Sequence, residues 1–346
     1  MPASKCWHRV MPTTEPTCIR VMKPGWCTTV QDFGRHGYQH YGVSPSGAMD
    51  RLALVIANRL VNNPDTAAVL EITLLGPDLL FEHAALLAIT GADLSPAIDG
   101  ECVPLWTTLA IQAGSRLTFG PRRTGARSYL AAAGGIDVPL LWGSRSTHLS
   151  SGMGGLNGRA LLADDILRLN VIGGGRKGPR IGRTLAPQSR PIYVESPALR
   201  IVIGPQDVGA AALTSLTRRP YQVGSQSDRM GYRLEGQRVQ NVSAEATISA
   251  ISANSAISAM SAISDGTAMG ALQIPPDGRP ILLMADRPTT GGYPKAAVVI
   301  AADLPQAGQL QPGDTLTFRR TTLPEAEAAF AQQWGELGQA LPPAEP

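Results

Sequence analysis

Long apolar runs are absent from this chain of 346 residues. No stretch reaches the ~18 uninterrupted apolar residues that a membrane-spanning helix needs. Cysteine is scarce: Cys6, Cys18, Cys27 and Cys102 show no CxxC spacing, which excludes a zinc knuckle or a disulfide framework and reads as reduced thiols. Neither sign of charge dominates. Thirty Lys and Arg against 27 Asp and Glu leave a net charge of +3, and no basic run interleaved with aromatics appears, so a nucleic-acid partner is not expected. The opening "MPASKCWHRVMPTTEPTCIR" lacks the apolar core and small-residue cleavage pattern of a signal peptide, and the expected location is the cytoplasm. GxSxG, HExxH, a phosphate loop, a dinucleotide fingerprint and an AMKM-like biotinylation site are all missing.

What is present is a β pattern. From Ile19 onward, short apolar runs such as "LLFEHAALLAIT" and "ARSYLAAAG" are bounded by Gly, Pro, Asn and Asp, the spacing of turn-separated strands. "QAGSRLTFG" (112–120), "LLADDILRL" (161–169) and "LQPGDTLTFR" (310–319) each read as a turn feeding an alternating strand. Such endings in both halves of the chain predict a mainly β protein, with minor α, made of two related modules. The expected organisation is a leader over 1–18, a first module over 19–171, an exposed Gly/Pro/Arg-rich linker over 172–198, a second module over 199–322 and a C-terminal helix and tail over 323–346. A Ser-Ala-Ile tract, 248–264, reads as a low-complexity surface insertion. The clearest helix lies in "SGAMDRLALVIANRLVNNP": Met49, Leu52, Val55, Ile56 and Leu60 recur at helical spacing, Ser46 is the expected cap, and Asn63-Pro64 ends it.

Four stretches carry chemistry. "TTVQDFGRHGYQHYGVSPSGAMD" (28–50) combines Gln31, Asp32, Arg35 and Asp50 with glycines that permit close backbone approach to a ligand; a turn in which Asp32 and Arg35 pair with each other is the alternative. His36 and His40 stand four apart, but the surrounding glycines argue against the helix that a metal pair would need. "GSRSTH" (143–148) offers Arg145, Ser146 and Thr147 to an oxyanion and is followed by the Gly-rich "GMGGLNGR". In "SDRMGYRLEG" (227–236), Arg229 and Arg233 flank Tyr232 and either clamp an anion or pair with Asp228 and Glu235. In "ADRPTTGGYPKAAVV", Asp286 and Arg287 emerge from a buried apolar run into a Gly-rich turn carrying Lys295, the geometry of a binding-site rim, with a plain hairpin as the alternative.

Read together in order, "TTVQDFGRHGYQHYGVSPSGAMD", "LEITLLGP", "ITGADL", "GGIDVPLLWGSRST", "SDRMGYRLEG" and "LQIPPDGRPILLMADRPTTGGYPK" closely resemble the biotin-dependent carboxyltransferase-like family. That family includes the C subunit of 5-oxoprolinase, the Kip-type kinase-inhibitor antagonist and the second carboxyltransferase half of urea amidolyase. The resemblance covers about residues 19 to 320. It implies two cyclophilin-like β-barrel modules and a partner protein, the B subunit of 5-oxoprolinase or a Kip-type inhibitor homologue, which completes the site. The activity it implies is ATP-dependent opening of 5-oxo-L-proline to L-glutamate together with the A and B subunits, with ATP and a divalent cation such as Mg in the complex. The chain by itself would be inactive.

Phosphorylating an amide oxygen calls for cations around phosphate and a carboxylate for a metal. Under the resemblance, Asp32, Asp286 and Lys295 are the expected catalytic groups. Arg35, Arg145, Arg229, Arg233 and Arg287 would meet substrate or phosphate, with Gln31, Ser146, Thr147 and Tyr232 beside them. Thr289, Thr290, Gly291, Gly292 and Tyr293 would supply the loop; no metal-ligand set is assigned. The alternative within the family is carboxyl transfer from carboxybiotin, carried by a partner, to a urea-like amide. A regulatory protein that antagonises a Kip-type kinase inhibitor is the alternative of another class. "GPQDVGAAALTS" lacks the aromatic residue expected after GPQ, and the Ser-Ala-Ile tract interrupts the approach to "SDGTAMGALQIP"; both departures bear on substrate and partner fit.

Overall fold

The computed structural model describes residues 17–170, 180–204, 206, 208–239 and 264–344. The leader through residue 16, the "GGGRK" stretch and the Ser-Ala-Ile tract through residue 263 lie outside the described residues. The expectation of a mainly β protein of two β modules holds.

The first module stacks two antiparallel sheets. One has seven strands, in the order Ile136–Asp137, Ile166–Leu169, Cys18–Lys23, Asp78–Phe81, Arg116–Thr118, Ala97–Ile98 and Glu101–Cys102. The other has five: Cys27–Gln31, Val69–Thr73, Thr124–Ala132, Ala85–Asp93 and Thr108–Ile111. Ile19, Val21, Ile72, Phe81, Ile89 and Leu130 fill the space between them, each contributed by a strand that alternates inward and outward. The outer face of the five-stranded sheet is covered by helix α1, Arg51–Leu60, through Leu54, Ile56 and Leu60 against Val69, Ala88 and Tyr129. Asp50, not Ser46, caps this helix, accepting from the Ala53 amide. The Ser46 hydroxyl is drawn instead to Asp286 of the second module, 2.6 Å away. Met49 lies just before the helix and inserts into the core of the other module.

The second module is a closed barrel: Ala198–Ile203, Lys295–Val299, Ala271–Gln273, Ile281–Leu283, Gly231–Gly236, Tyr221–Val223 and Thr315–Arg320, the last returning to pair with the first in parallel. Helix α2, Ala210–Arg218, sends Ala212, Leu213 and Leu216 into its core. The one-turn helix α3, Leu304–Ala307, precedes the segment that meets the first module. There Gly308 comes so close that a Cβ would sit 2.5 Å from the Met49 carbonyl. Helix α4, Leu323–Ala340, opens with a Thr322/Glu325 capping box. It returns to the first module, where Leu337 and Leu341 join the α1 cluster and Arg59 donates to the Leu341 carbonyl at 2.9 Å.

The three turn-then-strand endings appear as Arg116–Thr118, Ile166–Leu169 and Thr315–Arg320. Two boundaries shift. Cys18 already begins a strand, and Ala198 begins the barrel. The connection is not wholly exposed: Leu185 is buried with α1, and the Tyr193 hydroxyl donates to Asp50 at 2.7 Å. Apolar and hydroxyl groups spaced within a Gly/Pro/Arg-rich stretch suffice to strap it onto the sheet, which overall composition conceals. Among the described residues no helix is long and apolar enough to cross a membrane.

Candidate functional site

The first strand of the five-stranded sheet ends at Gln31, and the chain then turns at Asp32. The Asp32 carboxylate gathers the loop at 144–146: Oδ1 accepts from the hydroxyls of Ser144 (2.6 Å) and Ser146 (2.5 Å), and Oδ2 from the Arg145 amide (2.6 Å). The Gly34 amide adds a further bond to Oδ1 at 2.8 Å. Gln31 donates to the Thr147 carbonyl at 3.0 Å, and the fully buried Arg35 donates to the Ser146 carbonyl. Arg35 and Asp32 therefore do not pair. Among the described residues the Nε and Nη1 atoms of Arg35 find no hydrogen-bond partner, and burial pushes its guanidinium pKa down against the pull of Asp32 and Asp286. The Gly-rich stretch that follows is explained by contact: a Cβ on Gly154 would lie 2.4 Å from Arg35 Nη2, and one on Gly155 1.9 Å from the Thr147 hydroxyl.

Between the modules lies a buried charge network. Glu71 sits mid-strand opposite Thr29 and Tyr129. Its Oε1 receives Arg229, and its Oε2 receives the Tyr129 hydroxyl at 2.7 Å and the Met49 amide at 2.9 Å. Arg229 also forms a fork on Asp286, at 2.9 and 3.0 Å, and donates to the Gly47 carbonyl at 2.6 Å. Burial opposes its charge, but Asp286 and Glu71 outweigh burial and hold its pKa above the ordinary value. Arg127 reaches across to the Tyr232 hydroxyl at 2.9 Å and the Gly308 carbonyl at 2.6 Å. Gln309 crosses the other way, to Asp50 at 2.9 Å and to the Arg127 amide at 2.9 Å. Arg229 and Arg233 thus do not form a clamp: Arg233 is exposed, Asp228 turns back onto the amides of Met230 and Gly231, and the alternating strand sends Tyr232 inward instead.

At one edge of this seam, the segment after Asp286 packs on the 38–47 loop. Ser44 donates to the Arg287 carbonyl at 3.0 Å, and Gln39 to the Thr267 and Thr289 carbonyls at 2.8 and 3.0 Å. The Gly-rich segment is not a self-paired hairpin: Thr290–Gly291 pairs with Asp265–Gly266. Gly291 is glycine for room, since a Cβ would fall 2.3 Å from Gln273 Nε2. Thr289 and Gly292 are half-buried, while Thr290 and Tyr293 are exposed. Lys295 is buried, with Nζ 3.3 Å from the Gly291 carbonyl and 4.0 Å from Asp265. Arg287 is 8% exposed, and among the described residues its side chain makes a 3.4 Å contact from Nε to the Thr267 carbonyl and no other hydrogen bond. Burial, then the neighbouring Arg51, push its pKa down to about 10 against the pull of Asp286. On another side of the seam, a cleft of about 520 Å³ is floored by Arg229 and Tyr232 and rimmed by Trp26 and Met230.

The structure thus brings Gln31, Asp32, Arg35, Arg145, Ser146 and Thr147 into one knot and sets Asp286, Arg287 and Lys295 on the facing module. Arg145 spends its Nε on the Val138 carbonyl at 2.9 Å. Glu71, Arg127, Tyr129 and Gln309 were missed. An acidic or basic residue isolated in an apolar strand, as in "VLEIT" and "GARSYLAA", is the signal that marks Glu71 and Arg127. Among the described residues no group of three His, Cys, Asp or Glu side chains is placed to hold a metal, and His36 contacts the Phe33 carbonyl at 3.0 Å while His40 stacks on Tyr41.

The model of the carboxyltransferase domain, subdomain A and B, matches residues 41–320. The chain is 38% identical over 317 residues to the C subunit of 5-oxoprolinase from Escherichia coli, covering 91% of this chain and 95% of that protein. It is 31% identical over 311 residues to urea amidolyase of Saccharomyces cerevisiae, where it spans only 17% of the relative. The solved K. lactis urea amidolyase superposes with a TM-score of 0.84 at 31% identity, over 95% of this chain and 20% of that one. A match over most of the length of both sequence and fold, on top of the six ordered motifs, leaves one assignment: the chain belongs to the carboxyltransferase domain, subdomain A and B, family.

Proposed function

We propose that the protein is the C subunit of an ATP-dependent 5-oxoprolinase, hydrolysing 5-oxo-L-proline to L-glutamate with the A and B subunits in the cytoplasm. The observation that carries this reading is the match over 91% of this chain to a 5-oxoprolinase C subunit, 95% of which is covered. In this reading the seam between the modules faces the substrate. Lys295 and Arg287 supply positive charge toward an oxyanion, beside the backbone of Thr289 to Tyr293, and the complex supplies ATP.

Mg fits poorly on the two carboxylates of the expected catalytic groups, Asp32 and Asp286. Both oxygens of Asp32 and of Asp286 already accept from protein donors, and among the described residues no group of three His, Cys, Asp or Glu side chains gathers around either, a poor setting for a cation that needs several oxygen ligands. Their role is therefore positional: Asp32 fixes the 144–147 loop, and Asp286 fixes Arg229 and Ser46. The cation belongs with ATP elsewhere in the complex.

The likeness to urea amidolyase over the whole fold favours a second reading, carboxyl transfer from a partner-borne carboxybiotin to a urea-like amide. Reconstitution separates the two. Glutamate release from 5-oxo-L-proline that requires ATP and all three subunits is the expected result. No glutamate from the full set, with carboxylation of urea in the presence of a biotin carrier, would overturn it.

A further inference from the structure

The cleft rimmed by Trp26 and Met230 has no part in the chemistry proposed above: neither Arg287 nor Lys295 lines it. At about 520 Å³ it has room for a small organic ligand, and both modules build it, with Cys27, Arg127 and Leu149 on one side and Met230, Tyr232 and Leu310 on the other. Its mouth is apolar and open. Trp26 is 74% exposed, Met230 39% and Leu149 37%, large side chains left in water where the cleft begins.

Its floor holds a donor without an acceptor. Arg127 is 5% exposed, and its Nη1 is spent on the Tyr232 hydroxyl and on the carbonyls of Gly308 and Leu310, at 2.9, 2.6 and 3.3 Å. Among the described residues Nε finds no hydrogen-bond partner, its approach to Glu71 being 4.0 Å, and Nη2 makes no hydrogen bond either. Nε is fully buried, whereas Nη2 keeps access to the cleft that Arg127 lines. What is missing there is an acceptor and not a charge. Arg127 and Arg229 face Glu71 and Asp286, two cations to two carboxylates, and Asp228 adds another carboxylate to the cleft wall. An entering anion would meet both Asp228 and Asp286. A neutral carbonyl oxygen takes a charge-assisted bond from the guanidinium without that repulsion.

We propose that this cleft is a binding site for a small uncharged molecule with an apolar body and a carbonyl oxygen, an amide or a ketone. The body lies between Trp26, Leu149 and Met230, and the oxygen accepts from Arg127 Nη2. The site stands on the geometry of the cleft and does not depend on the 5-oxoprolinase reading.

The test is calorimetric titration of the full chain with 3-phenylpropionamide, with 3-phenylpropionate and with propionamide. The phenyl amide binds saturably, the carboxylate binds more weakly, and propionamide, which lacks the apolar body, does not saturate. Cys27 reports the location: it lines the cleft, and burial pushes its thiol pKa up, so it alkylates slowly. Bound phenyl amide slows that alkylation further while the exposed Cys102 reacts as before, both read by mass spectrometry. Arg127→Lys keeps the cation but removes Nη2 and weakens the phenyl amide at least ~10-fold, the loss of one hydrogen bond to a charged group. Because Arg127 also ties Gly308 and Leu310, a second variant leaves the seam's bonds alone: Met230→Glu puts a charge at the mouth, keeps Tm near the parent's and weakens binding similarly. The site is overturned if the phenyl amide does not saturate, if Cys27 stays unprotected at saturation, or if either variant binds undiminished. A carboxylate that binds as tightly as its amide overturns the neutral ligand class.

Discussion

Arg229 and Arg287 flank the same strand end, one bonded to Asp286 and the other adjacent to it in sequence, yet they live in opposite electrostatic worlds. Arg229 is held by two carboxylates and a carbonyl, and its charge is held firmly by the fold. Arg287 is as deeply buried with one long contact, and its charge is disfavoured by the fold. Burial alone therefore does not decide whether the fold holds a charge; the carboxylates and carbonyls around it do, and Arg35, with one carbonyl and a pKa pushed down, sides with Arg287. The centre of the seam is closed on itself and holds the modules together, whereas its edge is left electrically incomplete.

The most severe way to break this contrast is to remove the closed half. Arg229→Ala leaves Glu71 and Asp286 buried without their cation and should cost about 3–5 kcal/mol of stability, as breaking a buried pair does. Urea denaturation of the full chain measures it. A loss below about 1 kcal/mol would mean that water replaces the guanidinium and that the seam is not closed.

Next in size is the open half. Lys295→Ala removes a buried ammonium whose contacts are a carbonyl at 3.3 Å and Asp265 at 4.0 Å. Activity of the assembled complex should fall at least ~10-fold, about 1.4 kcal/mol of transition-state stabilisation. Tm should stay close to that of the parent. A fall in Tm with unchanged activity would move Lys295 to the structural side of the contrast.

Much of the frame was legible in sequence because its signals are local. Turn residues ahead of alternating strands marked the three module endings, and apolar spacing marked α1. The knot around Asp32 was half legible: Gln31, Asp32, Arg35 and the "GSRST" loop were singled out, but their mutual bonds span more than a hundred positions, 112 between Ser144 and Asp32. The network at the centre escaped for the same reason, since Arg229 and Glu71 are 158 residues apart and Gln309 and Asp50 are 259 apart. Ser46 shows how a local rule loses. Its hydroxyl had a good claim to the helix start, but a buried carboxylate on the other module is a stronger acceptor than an amide is a donor, and Asp50 was available for the cap.

The smallest expected effect probes whether the closed half is closed at every member. Asp50 is fully buried and takes three donors: the Ala53 amide at 2.9 Å, the Tyr193 hydroxyl at 2.7 Å and Gln309 at 2.9 Å. Burial nevertheless prevails over those bonds and raises its pKa. An acid whose folded pKa lies above its unfolded value, about 3.9, binds its proton more tightly in the fold. Its contribution to stability is therefore largest at acid pH and declines as pH rises from near 4 through the raised value. Asp50→Asn keeps the cap on Ala53 and removes the titration. The parent should be the more stable of the two at pH 4, by roughly 1 kcal/mol for the bonds that an amide cannot accept, and that advantage should shrink by pH 7. Paired urea titrations at the two pH values measure the difference. An advantage that grows with pH would show that the three donors overcome burial, and Asp50 would then join Arg229 among the charges that the seam stabilises.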